Sequence, residues 1–333
     1  MSTPEGGVRD AERSGPYVAA VRWVENLSDT QFAYLLLTPV LLLLALIAFW
    51  PLVTTFWMSL HADNLLGSAP LGEFVGLRNY VELLTGERDA FIVRPFFDLN
   101  APFTSALTVT LIFTVVSVVF ETLVGFAQAL VLDQNFRGRR WVRVAIIIPW
   151  AVPIVIQGMI FYLLFQPGIG FLVSEQSPTI LQQLGIFGDT PLNNSVESLI
   201  ILVVADVWKT SAFMALIILA GLQSVDRSLY DVGRVAGASR FQQFKLITLP
   251  LVLPSVLVAM LFRTIGAMRV YGLIETVSGC NTVPSLSCLV VTSFQESRMY
   301  GTSAAVAFIT AALIGVVVSI YIVKYADTDT GGA

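Results

Sequence analysis

Asp206, Lys209, Thr210 and Phe213 stand at i, i+3, i+4 and i+7 inside a long apolar run, a spacing that places them on one face of a helix. Arg263 and Gly266 share a face in a later run. An ionisable side chain at the centre of a membrane helix costs roughly 2.5–3.5 kcal/mol on insertion scales, so such groups face an interior cavity or a partner. The two faces together can line a path that offers polar groups and an aromatic ring. A polyhydroxyl solute uses that combination, since its hydroxyls take hydrogen bonds and its C–H face stacks on a ring. A structural reading stands beside this one. Asp206 and Lys209 can pair across one turn, Arg263 can snorkel or meet a partner subunit, and a lone aromatic such as Phe213 is commonly packing. Glu121 and Gln128, seven residues apart in an earlier run, read as interhelical glue. His61 is assigned no role.

The elements that must position these residues are membrane helices. The chain has 333 residues, 56% hydrophobic and 13% charged, where a soluble domain carries about a quarter charged residues. Runs of the roughly 20 apolar residues that span a bilayer recur at about 33–60, 104–131, 144–165, 198–222, 250–277 and 303–325. The fifth is interrupted by Arg263 and Arg269. Barrel strands would be shorter and would alternate in polarity. The expected fold is therefore an all-α integral membrane protein with six transmembrane helices. Residues 1–32 form a polar tail whose stretch 17–28 suits an interfacial helix, 33–325 the membrane domain, and 326–333 a second tail. The first apolar run is too long for a signal-peptide core and reads as a retained helix.

Most Lys and Arg, including Arg137, Arg139, Arg140, Arg143, Arg227, Arg234, Arg240 and Lys245, fall on one set of connecting segments. The positive-inside rule makes that side cytoplasmic, with both termini. The same side receives residues 226–250, a polar, basic island between two apolar runs. It reads as two short helices broken at Gly237-Ala238-Ser239. Leu229, Val232 and Ala236 mark the first; Phe241, Phe244 and Ile247 mark the second, which runs into Pro250. An amphipathic elbow at a membrane surface suits docking to a soluble partner. Cys280 and Cys288 are the only cysteines and fall on the outer side, where a disulfide persists. Seven intervening residues fit a hairpin bridge but equally allow two free thiols.

The formal net charge of −4 gives no basic domain for nucleic acid. There is no Gly-x-x-x-x-Gly-Lys-Ser/Thr phosphate loop, no Gly-x-Ser-x-Gly nucleophile elbow and no Cys/His metal constellation in a chain with one His and two Cys.

Residues Asp231-Val232-Gly233, Gly237, Ile247 and Leu249-Pro250 resemble the coupling loop of ABC import permeases, Glu-Ala-Ala, three residues, Gly, nine residues, Ile, one residue, Leu-Pro. Asp stands for Glu and Val-Gly for Ala-Ala. Phe74-Val75-Gly76-Leu77-Arg78-Asn79-Tyr80, the Asp206–Thr210 and Leu219–Gln223 stretches, and Tyr271–Gly279 are similar to further signatures of the carbohydrate-import branch, of maltose and trehalose type. The resemblance implies the maltose-type (type I) importer permease fold in a prokaryotic plasma membrane. It implies a second permease subunit as heterodimer partner, a homodimeric cytoplasmic ATPase that binds ATP and Mg, and an extracytoplasmic sugar-binding protein, with no cofactor in this chain. Asp231, Gly237, Ala238, Phe241 and Pro250 would couple to the ATPase; Asp206, Lys209, Thr210, Phe213, Arg263 and Gly266 would line the substrate path. The competing class is an ion-coupled secondary transporter or a membrane-embedded enzyme working through Asp206, Lys209, Arg263 and Glu275. Such a protein has no need of the elbow.

Overall fold

A computed structural model describes residues 23–65, 69–92, 94–174 and 176–330. The tail 1–22, with the start of the expected interfacial helix, and residues 331–333 lie outside the described residues. The chain divides into two compact units, Met1–Trp57 and Met58–Ala333. Among the described residues five helices are long and apolar enough to cross a membrane, or six if a bent pair is one span.

The first crossing helix, α1 (Asp29–Ser59), starts on a capping box in which Ser28 and Gln31 satisfy each other's backbone N–H. None of its residues Asp29–Leu44 is buried, as expected of side chains meant for lipid. Just ahead of Pro51 its hydrogen bonding widens to a π turn over Ala45–Phe49, with the Trp50 N–H donating to the Ala45 carbonyl. A proline ring in a regular helix collides with the carbonyl four residues back. Inserting one residue into the turn displaces that carbonyl and keeps the helix running.

Beyond α1, strand β1 (His61–Asp63) pairs antiparallel with β2 (Leu71–Phe74), followed by α2 (Arg78–Thr85). The membrane helices of the second unit are α3 (Ala106–Asp133), the pair α4 (Arg139–Ala151) and α5 (Ile154–Phe165), and α6 (Ser195–Ser224). After α7 (Ser228–Val235) come α8 (Arg240–Ala267), α9 (Gly272–Val277), α10 (Leu286–Gln295) and α11 (Tyr300–Thr330).

Two expected spans are corrected. The run 144–165 is two helices bent by 94°, because Val152 must be extended before Pro153 (ψ 129° and 144°). The run 250–277 stops being one helix at Ala267; Tyr271 (φ −142°, ψ −66°) turns the chain into α9. No proline marks this second break, and Arg269 within it reads from sequence only as an interruption of one span.

Helices α3 and α6 cross closely at Gly125, where a Cβ would sit 2.5 Å from that of Met214. This is small-residue packing, which substitutes for a hydrophobic driving force inside lipid. Gln128 reaches Ser211 across the same crossing (3.3 Å). Phe113, Phe161, Ile201 and Ile274 form the core around α3, α5, α6 and α9; Leu132, Met214, Ile218 and Val252 form that of the elbow end.

The Phe74–Tyr80 signature builds a cap at the end opposite the elbow. Asn79, fully buried, donates to the carbonyls of Ser59 (2.8 Å) and His61 (2.7 Å) and accepts from Arg88. Tyr80 meets the Ser59 hydroxyl at 2.6 Å. Asp63 in turn accepts from the backbone and hydroxyl of Thr302 at the start of α11, and Arg88 pairs with Asp63 and Glu82. One amide thus organises a strand and a buried ion cluster. Asn79→Ala removes three buried hydrogen bonds, to the Ser59 and His61 carbonyls and from Arg88, and is expected to cost about 2–3 kcal/mol. Thermal unfolding of the detergent-solubilised protein measures it; an unchanged midpoint contradicts the assignment.

Candidate functional site

Arg263 of α8 lies midway between two other helices. Its Nε and Nη2 donate to the two carboxylate oxygens of Glu121 on α3 (2.6 and 2.8 Å), and Nη2 also donates to Asp206 Oδ2 on α6 (2.9 Å). Glu121 is wholly enclosed, and the Arg263 and Asp206 side chains are 14% and 13% exposed. Gly266 leaves the space the guanidinium occupies: a Cβ there would lie 3.1 Å from Arg263 Nη1. Two carboxylates share one cation, and side-on bidentate geometry makes the Glu121 half the stronger contact. Glu121, read from sequence as glue, is thereby joined to the charged face.

Lys209, one turn along α6 from Asp206, does not pair with it. Its Nζ donates to the carbonyl of Val152 (2.7 Å), where α4 ends. A helix end leaves its last carbonyls without intrahelical donors and carries partial negative charge; inside a membrane no water supplies the donor, and an ammonium does. On the other side of the bend, buried Gln157 donates to the Ala205 carbonyl (2.7 Å). The break between α4 and α5 is thus held against α6 from both flanks. Lys209 also completes the charge balance of the group, two carboxylates against two cations.

Phe213, a further turn along α6, stacks on Trp150 of α4 (centroids 6.3 Å, 28°) and meets Phe262 of α8 edge-on (6.5 Å, 87°). Trp150 and Phe262 are about half exposed. Sequence spacing found Phe213 but not Trp150, whose only signal is its place in Pro149-Trp150-Ala151-Val152-Pro153. Thr210 is buried, and its hydroxyl donates to the Asp206 carbonyl (2.6 Å). It belongs to the helix packing rather than to the exposed face.

The elbow begins where Asp226 accepts the Ser228 N–H (2.9 Å), a bond that holds its carboxyl below the usual range. Arg227 grips both carboxylate oxygens of Asp133 at the end of α3 (2.7 and 2.9 Å), and Tyr230 meets the Thr248 hydroxyl (3.0 Å). Helix α7 ends on Gly237 in the left-handed region (φ 82°), with the Ala238 N–H returning to the Gly233 carbonyl, the αL cap that glycine favours. Ser239 and Gln242 then form a capping box. The break at 237–239 stands as the sequence suggests. The second helix does not stop at Pro250: it runs through a π turn at Phe244–Thr248 into the membrane, the device that also admits Pro51. Asp231 pairs with Arg234 on the exposed side of α7. Val232, Val235 and Phe241 stand exposed around the break, and Ala238 lies half-buried between them.

At the opposite end Cys280 and Cys288 are joined in a disulfide (Cα–Cα 5.5 Å). It links the turn after α9 to α10, whose first turn is capped by Ser285.

Residues 121–328 match the family described as "Binding-protein-dependent transport system inner membrane component". The chain is 33% identical over 288 residues to the trehalose/maltose transport system permease protein of Thermococcus litoralis, covering 86% of this chain and 90% of that one. It is 30% identical over 308 residues to the trehalose transport system permease protein of Mycobacterium tuberculosis, with 92% of each covered. Among solved structures, a bacterial ABC transporter that imports the acidic polysaccharide alginate superposes with a TM-score of 0.72 over 92% of this chain and 99% of that chain, at 19% identity.

The triad makes Arg263 structural as well as polar. Arg263→Leu leaves Glu121 as an uncompensated buried charge and is expected to cost about 3–5 kcal/mol, seen as lost folded yield in size-exclusion chromatography. Removing the enclosed partner as well, in Glu121→Met with Arg263→Met, recovers most of that yield. Equal yields for the single and double variants would show that the two residues are not coupled.

Proposed function

The chain belongs to the binding-protein-dependent transport system inner membrane components, the permeases of ABC importers, and on that premise we propose that it forms half of the pore through which an ATP-driven complex imports a neutral sugar. It is a multi-pass membrane transport component and not an enzyme. In this reading the other half of the pore is a second permease subunit. ATP and Mg sit on a homodimeric ATPase at the cytoplasmic face, and an extracytoplasmic binding protein delivers the sugar.

One observation carries the reading. The two helices that flank the elbow, α6 and α8, are the two that bear Asp206, Lys209, Phe213, Phe262 and Arg263. A displacement of the elbow by the ATPase is therefore a displacement of the polar, aromatic face. Asp231 and the exposed Val232, Val235 and Phe241 would seat in the ATPase, Asp231 exchanging Arg234 for a basic residue of that partner. Arg227 on Asp133 would carry the same motion to α3. Alternating access then follows from one half of the complex rocking against the other.

The face suits an uncharged polyhydroxyl solute. Its two carboxylates are balanced by the Arg263 guanidinium and the Lys209 ammonium together, so a charged substrate meets no net opposite charge. Phe213 between Trp150 and Phe262 offers a ring surface for a sugar's C–H face, and Arg263 Nη1 and Lys209 offer donors beside it. Names of relatives that carry trehalose and maltose favour disaccharides. An ion-coupled mechanism would need a carboxylate free to load and release a proton, whereas Glu121 and Asp206 are both bound to Arg263.

Reconstitution with the partner subunits tests the function: the reading expects ATP-dependent accumulation of labelled trehalose or maltose in proteoliposomes, and accumulation driven by an ion gradient without ATP would overturn it. In the same assay Phe213→Ala raises the sugar KM roughly tenfold, the value of a lost stacking partner, while maximal uptake changes little. The elbow is read through binding-protein-stimulated ATP hydrolysis. Asp231→Lys abolishes stimulation and Asp231→Glu retains it. Gly237→Val fails because a β-branched residue resists positive φ, whereas Gly237→Asn keeps at least half the activity. Normal stimulation in Asp231→Lys removes the coupling role.

A further inference from the structure

A polar cavity of about 430 Å³ opens at the end of α6 opposite the elbow, walled by the end of α5, the turn at Thr190–Asn193 and the end of α9. Helix α6, 30 residues long, puts it about 45 Å from the elbow by helical rise. The charged face of Asp206 and Arg263 lies between the two. The cavity's size falls within the range of roughly 300–1,000 Å³ typical of small-molecule sites. Gln166, Asn193 and Glu275 line it beside the ring of Tyr162, with Ser278 in its wall.

Most of that polar capacity is unspent. Among the described residues the side-chain amides of Gln166 and Asn193 make no hydrogen bond, and the Ser278 hydroxyl is shielded from solvent without a partner. Glu275 uses only Oε2, which accepts from the Cys280 N–H (3.2 Å). Enclosed hydroxyls without a partner are costly and uncommon, and here the unspent groups converge on one space. The walls are closely packed. Gly158 of α5 meets Thr276 of α9 so closely that a Cβ would lie 1.7 Å from the threonine hydroxyl. The Cys280–Cys288 disulfide and the left-handed Gly279 (φ 76°) fix the turn that carries Ser278.

We propose that this cavity is a carbohydrate subsite that receives one sugar ring of the substrate before the ring reaches the charged face in mid-membrane. Two amides and a carboxylate supply donors and acceptors for a ring of hydroxyls, and Tyr162 supplies a surface for its C–H face. The single carboxylate disfavours an anionic ligand. The inference rests on the sugar-import reading above, and it adds a second station to the path.

A photoactivatable diazirine derivative of trehalose or maltose, added to the complete transporter in nanodiscs, tests it by peptide mass spectrometry. Label is expected on peptides containing 162–166 and 275–279 as well as on those around 206–213 and 262–266. The double change Gln166→Ala with Asn193→Ala lowers the outer label about tenfold, as two lost hydrogen bonds imply, and spares the inner label. If that variant does not assemble, Asn193→Ala and Glu275→Gln, both at exposed positions, carry the test. Label confined to the inner face in a transporter that accumulates the sugar overturns the subsite and leaves the function standing. So does a variant that loses sugar-free stimulation by the binding protein with its outer label intact, because the cavity would then seat a loop of that partner. A wild-type complex that neither accumulates nor cross-links the disaccharide overturns both.

Discussion

A charge inside a bilayer must find its countercharge within the protein, and this constraint organises the molecule. Arg263 can sit in a membrane helix because Glu121 and Asp206 come to it from two other helices. Desolvation makes each of these ions unfavourable alone, so α3, α6 and α8 are held in one register by groups that none of them tolerates separately. Lys209 obeys the same rule with a backbone partner, supplying the donor that the end of α4 lacks. The bend at Pro153 therefore follows from proline, but its placement against α6 follows from Lys209 and Gln157.

The same cluster lies on the helices that lead to the elbow. Helix α8 is continuous from Arg240, at the surface, to Ala267 beyond Arg263. Pro250 would kink a regular helix; the π turn at Phe244–Thr248 absorbs it. Coupling over this distance needs no chain of small rearrangements if α8 moves as one body. In the proposed coupling, motion imposed on Phe241 would arrive at Phe262 and Arg263, and through the shared guanidinium at α3 and α6. The glycine at 237 and the capping box at Ser239 allow α7 to fold back on α8 without interrupting it.

Much of this was legible in the residues. Apolar run lengths gave the crossing helices, and the break at Gly237-Ala238-Ser239 was marked by its own residue types. The charged face on α6 was visible from the spacing of Asp206, Lys209 and Phe213. Partners were not legible. Spacing reports which face a side chain occupies, and Glu121 meets Arg263 across 142 positions that no local pattern connects. For the same reason Lys209 read as a substrate-path group or a mate for Asp206, with no sign of its contact to Val152, and Thr210 read as part of a face from which its own hydroxyl turns away. The helix break at 268–271 escaped because no proline marks it and Arg269 read only as an interruption of one span; the π turns escaped because a proline alone does not announce one, as Pro39 and Pro254 sit in regular helix.

The account stands most directly on the rigidity of α8. Spin labels at Arg240 and Phe262, about 33 Å apart along a continuous helix, report it by pulsed electron–electron resonance in the assembled transporter. The distance is expected to stay within about 2 Å between the nucleotide-free and ATP-trapped states, while distances from either label to a partner subunit change. A shift or broadening of more than about 5 Å within this pair would make the π turn a hinge, and the elbow would no longer move the charged face as one body.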